Sequence, residues 1–201
     1  MGFLKKKIRR IIIVTGAPGV GKTSVSALLA RRLDAVHIDV GELVVKENFV
    51  TEKDEVRDTL VANMEKVSGR VKEIIMEVEK DVVLDGHYAV DVVPRSDVWR
   101  VFVLRRNPEE LKPLMLARGW AGLKLWENLA CEVLDVCLSD AVEACGVEKV
   151  CEVDVTERKV EDVVGEILEV LDGKRKCYAG VVDWLAFLEM AGRLDEFLRN
   201  F

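Results

Sequence analysis

A glycine-rich segment that ends in lysine and threonine is the part of this 201-residue sequence whose chemistry is easiest to infer. Gly16, Gly21, Lys22 and Thr23 give the spacing Gly-x4-Gly-Lys-Thr, directly after an apolar, β-branched run at residues 11–14. A loop of this kind between a buried strand and a helix wraps its amide hydrogens around a phosphate group, and the helix N-terminus adds its positive end. The spacing therefore predicts a phosphate-binding loop that holds a nucleotide.

The side chains of this loop predict how ATP and Mg²⁺ are held. Lys22 supplies a point charge to the β- and γ-phosphates, and the hydroxyl of Thr23 coordinates magnesium. A glycine-rich turn without a ligand is the alternative, which the strand before the loop and the helix after it disfavour. We expect ATP contacts from the residues of the loop itself: Gly16, Gly19, Val20, Gly21, Lys22 and Thr23.

A second acidic site follows the apolar run at residues 82–84, which ends in Asp85. In a parallel α/β sheet the strand ends converge on the ligand, so Asp85 is predicted to hold magnesium through water. A turn-forming aspartate before Gly86 is the alternative. His87, two residues further on, either orients a water molecule or steadies a closing loop, or it is a structural hydrogen-bonding residue.

Two arginine-containing segments are candidates for closing over the nucleotide. Arg105 and Arg106 follow a predicted strand, and Arg118 with Gly119 follows about one helix later. Phosphoryl transfer needs cations over the transferring oxygens, and the glycine permits a hinge. A solvated surface helix is the alternative, because charged residues are mostly exposed.

Strands alternate with helices along the chain, which predicts a three-layer α/β fold with a central parallel sheet. Asn107 caps a helix that begins at Pro108, and Thr156 caps one that runs to Leu171. One or two helices over residues 51–79, with a break at Ser68–Gly69, and one long helix over 124–145 are also expected. Predicted strands are 11–14, 36–38, 82–84, 98–104 and 149–153.

Residues 172–176 resemble a linker, and two short helices over 181–190 and 193–201 form a C-terminal tail. The aromatic and leucine side chains of this tail either pack on the main domain or bind a partner. The division is therefore a nucleotide-binding domain at 1–172 and a helical extension at 173–201.

Composition excludes several classes of function. The net charge of −6 argues against coating nucleic acid by electrostatics, and no apolar run reaches membrane-spanning length. The apolar stretch near the N-terminus is too short for a signal peptide. Five cysteines, an odd number without a CxxC motif, indicate a reduced, cytoplasmic setting in which thiols serve as small apolar residues and bind no metal.

Three segments together resemble one family. They are GAPGVGKTS at 16–24, LDGH at 84–87, and the pattern LRRNPEEL, RGW, K..EN and E within 104–132. Over about residues 8–170 the chain resembles the adenylate kinase isoenzyme six family and its archaeal relatives, which are also described as small-subunit ribosome maturation factors. The resemblance implies a P-loop NTPase fold of the nucleoside monophosphate kinase type, ATP with Mg²⁺, and broad monophosphate kinase activity with a side ATPase.

The resemblance also implies roles for individual residues. Asp85 and His87 match an acidic-histidine motif of the active site, and Ser24, Arg118 and Arg158 match nucleotide contacts. A monophosphate-binding region runs from about 39 to 63 and a lid from about 118 to 128. Leu114 and Val45 stand where relatives often carry arginine. The monophosphate contacts carried over are Val40, Gly41, Glu42 and Lys46.

Three functions remain open at this point. The first is a kinase that converts ATP and AMP into two ADP, with Lys22, Asp85, His87 and Arg118 as its catalytic residues. The second is an ATP-switched assembly factor, in which His87 positions a water molecule and the partner is a small-ribosomal-subunit protein, with rRNA contacted only locally or indirectly. The third is a kinase for another small metabolite. The chain is expected to act as a monomer.

Overall fold

The structure is a computed structural model that describes residues 9–54 and 59–198. Some of the predictions fall on other residues: Val56 in the predicted helical pattern and Phe201 in the tail lie outside the described residues. Within the described ranges, no helix combines the length and the apolar composition needed to cross a bilayer.

The described chain alternates strands and helices as predicted. Its strands are β1 (Ile11–Thr15), β2 (Val36–Asp39), β3 (Val50–Asp54), β4 (Thr59–Ala62), β5 (Val82–Asp85), β6 (Val98–Arg105) and β7 (Val150–Asp154). Its α-helices are α1 (Lys22–Leu33), α2 (Val40–Lys46), α3 (Met64–Glu77), α4 (Pro108–Ala117), α5 (Gly122–Val133), α6 (Val136–Cys145), α7 (Val160–Leu171), α8 (Trp184–Met190) and α9 (Leu194–Leu198).

Five strands form a parallel sheet in the order β2-β5-β1-β6-β7. β1 lies at its centre and is buried along its whole length, which explains its uniformly apolar, β-branched sequence. Ile12 and Val14 pack into the core on one face, whereas Ile11 and Ile13 pack into the core on the other. Helices α1, α4, α5 and α7 cover the first face, and α2, α3 and α6 cover the second. The predicted three-layer α/β fold is confirmed.

The prediction of only helices over residues 51–79 is wrong. β3 and β4 form a separate antiparallel hairpin, and α3 then runs through Ser68 and Gly69 without a break. The side chain of Asn63 caps this helix by accepting a hydrogen bond from the amide of Lys66 at 3.1 Å. Gly69 is exposed and a Cβ there would meet nothing within 4 Å, so the glycine does not mark a turn.

Two other helix boundaries differ from the predictions. The expected helix over 124–145 is divided at Leu134 and Asp135, and Asp135 adopts a left-handed conformation with φ of 56°. Thr156 does not cap α7, because its hydroxyl bonds to Asp154 at 2.6 Å and the helix begins at Val160. The predicted cap at Asn107 is confirmed: its side chain accepts a hydrogen bond from the amide of Glu109 at 2.8 Å.

The expectation that all five cysteines are free thiols is wrong for two of them. Cys151 in β7 and Cys177, in the segment before α8, form a disulfide across 26 residues of sequence. Cys131, Cys137 and Cys145 are free. The disulfide attaches the segment that leads into the tail to an edge strand of the sheet.

The C-terminal helices pack on the main domain. Trp184 is 8% exposed, and Leu188 and Phe197 are fully buried in the same core as α4 and α5. Of the two readings of the tail, packing on the domain is therefore the one realised by its described residues.

A buried charge cluster around Arg105 joins the tail to the sheet. Arg105, 1% exposed, donates from Nε to Glu132 at 2.9 Å and also binds Asp135 and Glu152. Glu132 additionally accepts a hydrogen bond from the indole of Trp184 at 2.8 Å. Burial raises the pKa of Glu132 to about 7, although Arg105 acts in the opposite direction. The prediction that Arg105 closes over the nucleotide is wrong, because its guanidinium is enclosed by carboxylates, and the solvated-helix alternative fails for the same reason.

We predict that Arg105→Met lowers the free energy of unfolding by ~3–5 kcal/mol, because Glu132 and Glu152 would remain buried without their cation. Urea unfolding followed by circular dichroism measures this change. Arg95→Met is the matched control, since Arg95 pairs with Glu148 at the surface, and its unfolding midpoint should hardly move. Equal losses in the two variants would contradict the structural role of the Arg105 cluster.

Candidate active site

The predicted phosphate loop connects the end of β1 to the start of α1. Gly16, Gly19 and Gly21 have φ values of 138°, 91° and 109°, which favour glycine. A Cβ at Gly16 would lie 2.4 Å from the backbone oxygen of Leu104, so the loop passes too close to β6 for any side chain. The motif therefore forms a tight loop against the central strands.

Lys22 lies inside the curve of this loop. Its ammonium group donates hydrogen bonds to the carbonyl oxygens of Gly16 and Ala17, at 2.9 and 3.0 Å. Burial lowers the pKa of Lys22 from its ordinary value. The loop's own backbone thus orients the cation that the motif predicts for the β- and γ-phosphates. Val20 is buried beneath the loop, and Thr23 and Ser24 are exposed in the first turn of α1.

Three oxygen-bearing side chains meet beside the loop. Asp39 and Asp85 end the neighbouring strands β2 and β5 and are partners in the parallel register. The hydroxyl of Thr23 lies 3.1 Å from a carboxylate oxygen of each. One hydroxyl and two carboxylates are hard oxygen ligands, the donor set that suits Mg²⁺. Thr23 and Asp85 were predicted for this role, whereas Asp39 was missed, although it ends β2 as Asp85 ends β5.

His37 is a second residue that the sequence analysis missed. Its Nε2 atom lies 2.6 Å from Oδ1 of Asp85. This hydrogen bond raises the pKa of His37 above its ordinary value. His37 and Asp85 come together because β2 lies beside β5 in the sheet. The local sequence around His37 does not reveal this pairing.

His87 lies beside the phosphate loop on the turn after β5. Its backbone oxygen accepts a hydrogen bond from the hydroxyl of Thr15 at 3.3 Å, and its ring contacts Tyr88 edge-on at 4.6 Å. Burial and the charge of Lys22 lower the pKa of His87, while a hydrogen bond with the backbone of Gly16 acts against the shift. The imidazole is therefore neutral at pH 7, the form that can accept a proton.

Two cysteines from different helices adjoin this histidine. Sγ of Cys137, in α6, lies 3.3 Å from Nδ1 of His87 and 3.6 Å from Sγ of Cys131, in α5. The hydrogen bond between the thiols lowers the pKa of Cys131. The sequence carries no Cys/His motif, because the turn between α5 and α6 creates this proximity.

A cleft of about 990 Å³ extends from Lys22 and Thr23, past His87, to the β3–β4 hairpin. Val40 and Gly41 line it, as the resemblance implies, whereas Glu42 and Lys46 are exposed on α2 and do not. Three apolar side chains that line it are exposed to solvent: Val45, Leu60 and Val61 are 63%, 51% and 38% exposed.

The two arginines implied by the resemblance lie apart from the cleft wall. Arg118 is exposed at the end of α4, next to Gly119 with its φ of 79°. Arg158 follows the carboxyl end of β7, and its guanidinium pairs with Glu166 at 2.8 Å. Among the described residues, the cations that line the cleft are Lys22 and Lys124, and no arginine does.

α5 also contributes to the wall of the cleft. Its lining side chains are Lys124, Glu127 and Asn128, from the segment predicted as part of the lid. Lys124 also lies over the ring of Trp120, 5.7 Å from its centroid. The segment that connects α4 to α5 thus leads into a helix that lines the cleft and contacts one of its lining residues.

Comparisons with known proteins show the family to which the chain belongs. Residues 12–135 match a family model described as "AAA domain". A protein of Methanocaldococcus jannaschii is 42% identical over 173 residues, 86% of this chain and 92% of its own length. Proteins of Methanosarcina acetivorans and Saccharolobus solfataricus are 38% and 36% identical, over 87% and 92% of this chain and 97% and 93% of their own lengths. All three carry the name "Putative adenylate kinase".

Among solved structures, a gluconokinase from Sinorhizobium meliloti 1021 is 16% identical, covers 84% of this chain and 99% of its own, and has a TM-score of 0.48. A likeness this distant has no bearing on the substrate.

We predict that the two histidines affect the pH dependence of stability in opposite directions. The raised pKa of His37 gives stability that is present below ~6.5 and lost as pH rises through the folded-state pKa. The lowered pKa of His87 gives stability that is present above ~6.5 and lost as pH falls. Urea midpoints of His37→Gln and His87→Gln, measured without magnesium from about pH 5 to 8, test this.

Relative to the native chain, His37→Gln should lose most stability at the acidic end, and His87→Gln at the alkaline end. Each variant is the control for the other, since the sequence holds two histidines. Two difference curves of the same slope would refute these assignments.

Proposed function

This chain belongs to the archaeal adenylate kinase family, and we propose that it transfers the γ-phosphoryl group of ATP to a nucleoside monophosphate such as AMP, yielding two nucleoside diphosphates. The observation that carries the proposal is one continuous cleft, which runs from the phosphate loop to apolar side chains of α2 and β4. A cavity of about 990 Å³ is at the upper end of ordinary ligand pockets, which suits a donor and an acceptor bound together.

The donor end of the cleft holds ATP. The loop amides and Lys22 bind the β- and γ-phosphates, as the inward position of the ammonium group supports. Thr23, Asp39 and Asp85 hold Mg²⁺, directly or through water. The metal, when bound, neutralises charge that develops on the transferring oxygens.

The acceptor end holds the monophosphate. Val45, Leu60 and Val61 offer apolar surface that a nucleobase would cover, which accounts for exposed side chains of this kind within a cleft. Apolar walls discriminate weakly between bases, so they support broad specificity. The acceptor's phosphate oxygen is the attacking atom, and no nucleophilic side chain is required.

In this proposal two further cations, Arg118 and Arg158, also contact the nucleotide. Arg118 reaches the transferring oxygens when the segment after α4 moves over the cleft, with Gly119 as the hinge. Arg158 contacts the nucleotide near the base, from its position after β7. Both positions match the resemblance to the family.

ATP hydrolysis is a second candidate activity, favoured by two observations. No arginine lines the described part of the cleft, so a bidentate contact to the phosphate of a monophosphate has no donor there. His87 is also neutral and adjoins Lys22, so it can orient a water molecule towards the γ-phosphate. An ATP-switched role with a small-ribosomal-subunit partner stays a prediction of the resemblance.

The decisive experiment measures ADP formation from ATP and Mg²⁺, with and without AMP. We predict strong stimulation by AMP in the native chain and a loss of at least ~100-fold in kcat for Lys22→Ala, because one preorganised charge on the phosphates is removed. Lys174→Ala, which alters a lysine that pairs with Asp172 at the surface, should retain full activity.

Phosphate release without any stimulation by AMP would reject the monophosphate kinase and leave the hydrolase. Loss of that release in His87→Ala would then assign the water to His87. If neither reaction occurs, a screen of other small phosphate acceptors becomes the next experiment.

A second prediction concerns the acceptor wall. Leu60→Asp should raise the KM for AMP by ~10-fold or more, because it places a charge against the base, while the KM for ATP stays near the native value. Val147→Asp is the matched control. Val147 is 62% exposed and precedes the amino end of β7, whereas the proposed nucleotide site lies at the carboxyl ends of the strands. Equal effects on both KM values would place the acceptor elsewhere.

A further inference from the structure

His87, Cys131 and Cys137 bring three potential metal ligands to one point. One ring nitrogen of the histidine and the two Sγ atoms all lie within 4.8 Å of one another. Within residues 9–54 and 59–198, this is the one group of three or more cysteine, histidine or acidic side chains that is close enough to share an ion. Neither cysteine has a part in the proposed phosphoryl transfer.

Two of the three distances between these atoms lie close to those of a tetrahedral metal site. Zinc binds sulfur at ~2.3 Å and imidazole nitrogen at ~2.0 Å, which separates two sulfurs by about 3.8 Å and sulfur from nitrogen by about 3.5 Å. The observed Cys131–Cys137 and Cys137–His87 distances are 3.6 and 3.3 Å. Shifts of a few tenths of an ångström would bring these two pairs to ligand geometry.

The ligands come from three separate elements that are fixed by the core. His87 follows β5, Cys131 belongs to α5 and Cys137 to α6, and Cys137 is only 5% exposed. α5 is held by the bonds of Glu132 to Arg105. Positions held in this way favour a preorganised site rather than side chains that meet by chance.

The chemistry of the donor atoms selects the metal. Two thiolates and one imidazole are soft ligands that suit Zn²⁺ and not Mg²⁺, so this group is distinct from the oxygen site at Thr23 and Asp85. Two thiolates also balance the charge of a divalent ion, which allows binding although Lys22 is close enough to act on both thiols.

We propose that His87, Cys131 and Cys137 form a binding site for Zn²⁺, with water as the fourth ligand. Each thiol releases its proton to solvent as its sulfur binds, and His87 binds through the lone pair of Nδ1, so no electron transfer is needed. His87 lines the nucleotide cleft, and the metal would fix its ring there. The consequence for activity rests on the proposed function: zinc would remove His87 from any role in handling water or protons.

Metal binding can be measured independently of catalysis. The full chain is prepared without metal, anaerobically and without reductant, so that the Cys151–Cys177 disulfide stays intact and three thiols react after denaturation. Co²⁺ then serves as a spectroscopic probe, because thiolate ligands give an intense charge-transfer band. Zn²⁺ affinity follows from competition with a chromogenic chelator.

The native chain should bind one Co²⁺ with a thiolate band and release it to Zn²⁺. Cys131→Ser and Cys137→Ser should bind at least ~100-fold more weakly. Cys145→Ser is the matched control, since Cys145 is a free, buried thiol of α6 outside the group, and it should retain native affinity. Cys131 is only partly buried, so Cys131→Ser carries the test if Cys137→Ser fails to fold.

The proposal is overturned if the native chain shows no thiolate band, if Cys131→Ser binds as tightly as the native chain, or if only one thiol reacts because Cys131 and Cys137 are joined. Zinc that binds at this site without changing ADP formation supports the site and removes His87 from catalysis. The metal site and the proposed function therefore fail by different results.

Discussion

The buried guanidinium of Arg105 is the contact on which the arrangement at the nucleotide edge of the sheet depends. It ends β6 and bonds to Glu132 of α5 and Glu152 of β7, and Glu132 also accepts hydrogen bonds from the indole of Trp184 and the amide of Arg106. Buried ion clusters add little net stability, but breaking one leaves charges that cannot be solvated. The position of α5 relative to the phosphate loop is thereby linked to the C-terminal helices.

The chemistry of the site arises where strands of one direction end together. The parallel register of β2 and β5 brings Asp39 level with Asp85, and α1 brings the hydroxyl of Thr23 to both. The turn after β5 carries His87 between the loop and the thiols of the α5–α6 junction. Hard oxygen donors and soft sulfur donors consequently lie close to the short segment from Asp85 to His87. The two kinds of donor suit different classes of metal ion.

Features fixed by consecutive residues could be predicted from the sequence, and features fixed by neighbouring elements could not. The phosphate loop, the buried strands and the cap at Asn107 each depend on a local pattern, and the structure contains them as predicted. His37 and Asp39 required knowledge that β2 lies beside β5. The break at Asp135 has no local signal either, because its left-handed residue is held by a distant arginine. The hairpin was missed because its first strand is charged and exposed, like the surface of a helix.

The central position of β1 has a consequence for the order in which the chain becomes competent during synthesis. β1 is made before its two neighbours in the sheet, β5 and β6, and Gly16 packs against the backbone of Leu104. A nascent chain that already contains the whole loop motif still lacks the walls that shape it, and closing such long loops is slow. Nucleotide binding can therefore stabilise the loop only after β5 and β6 have been made.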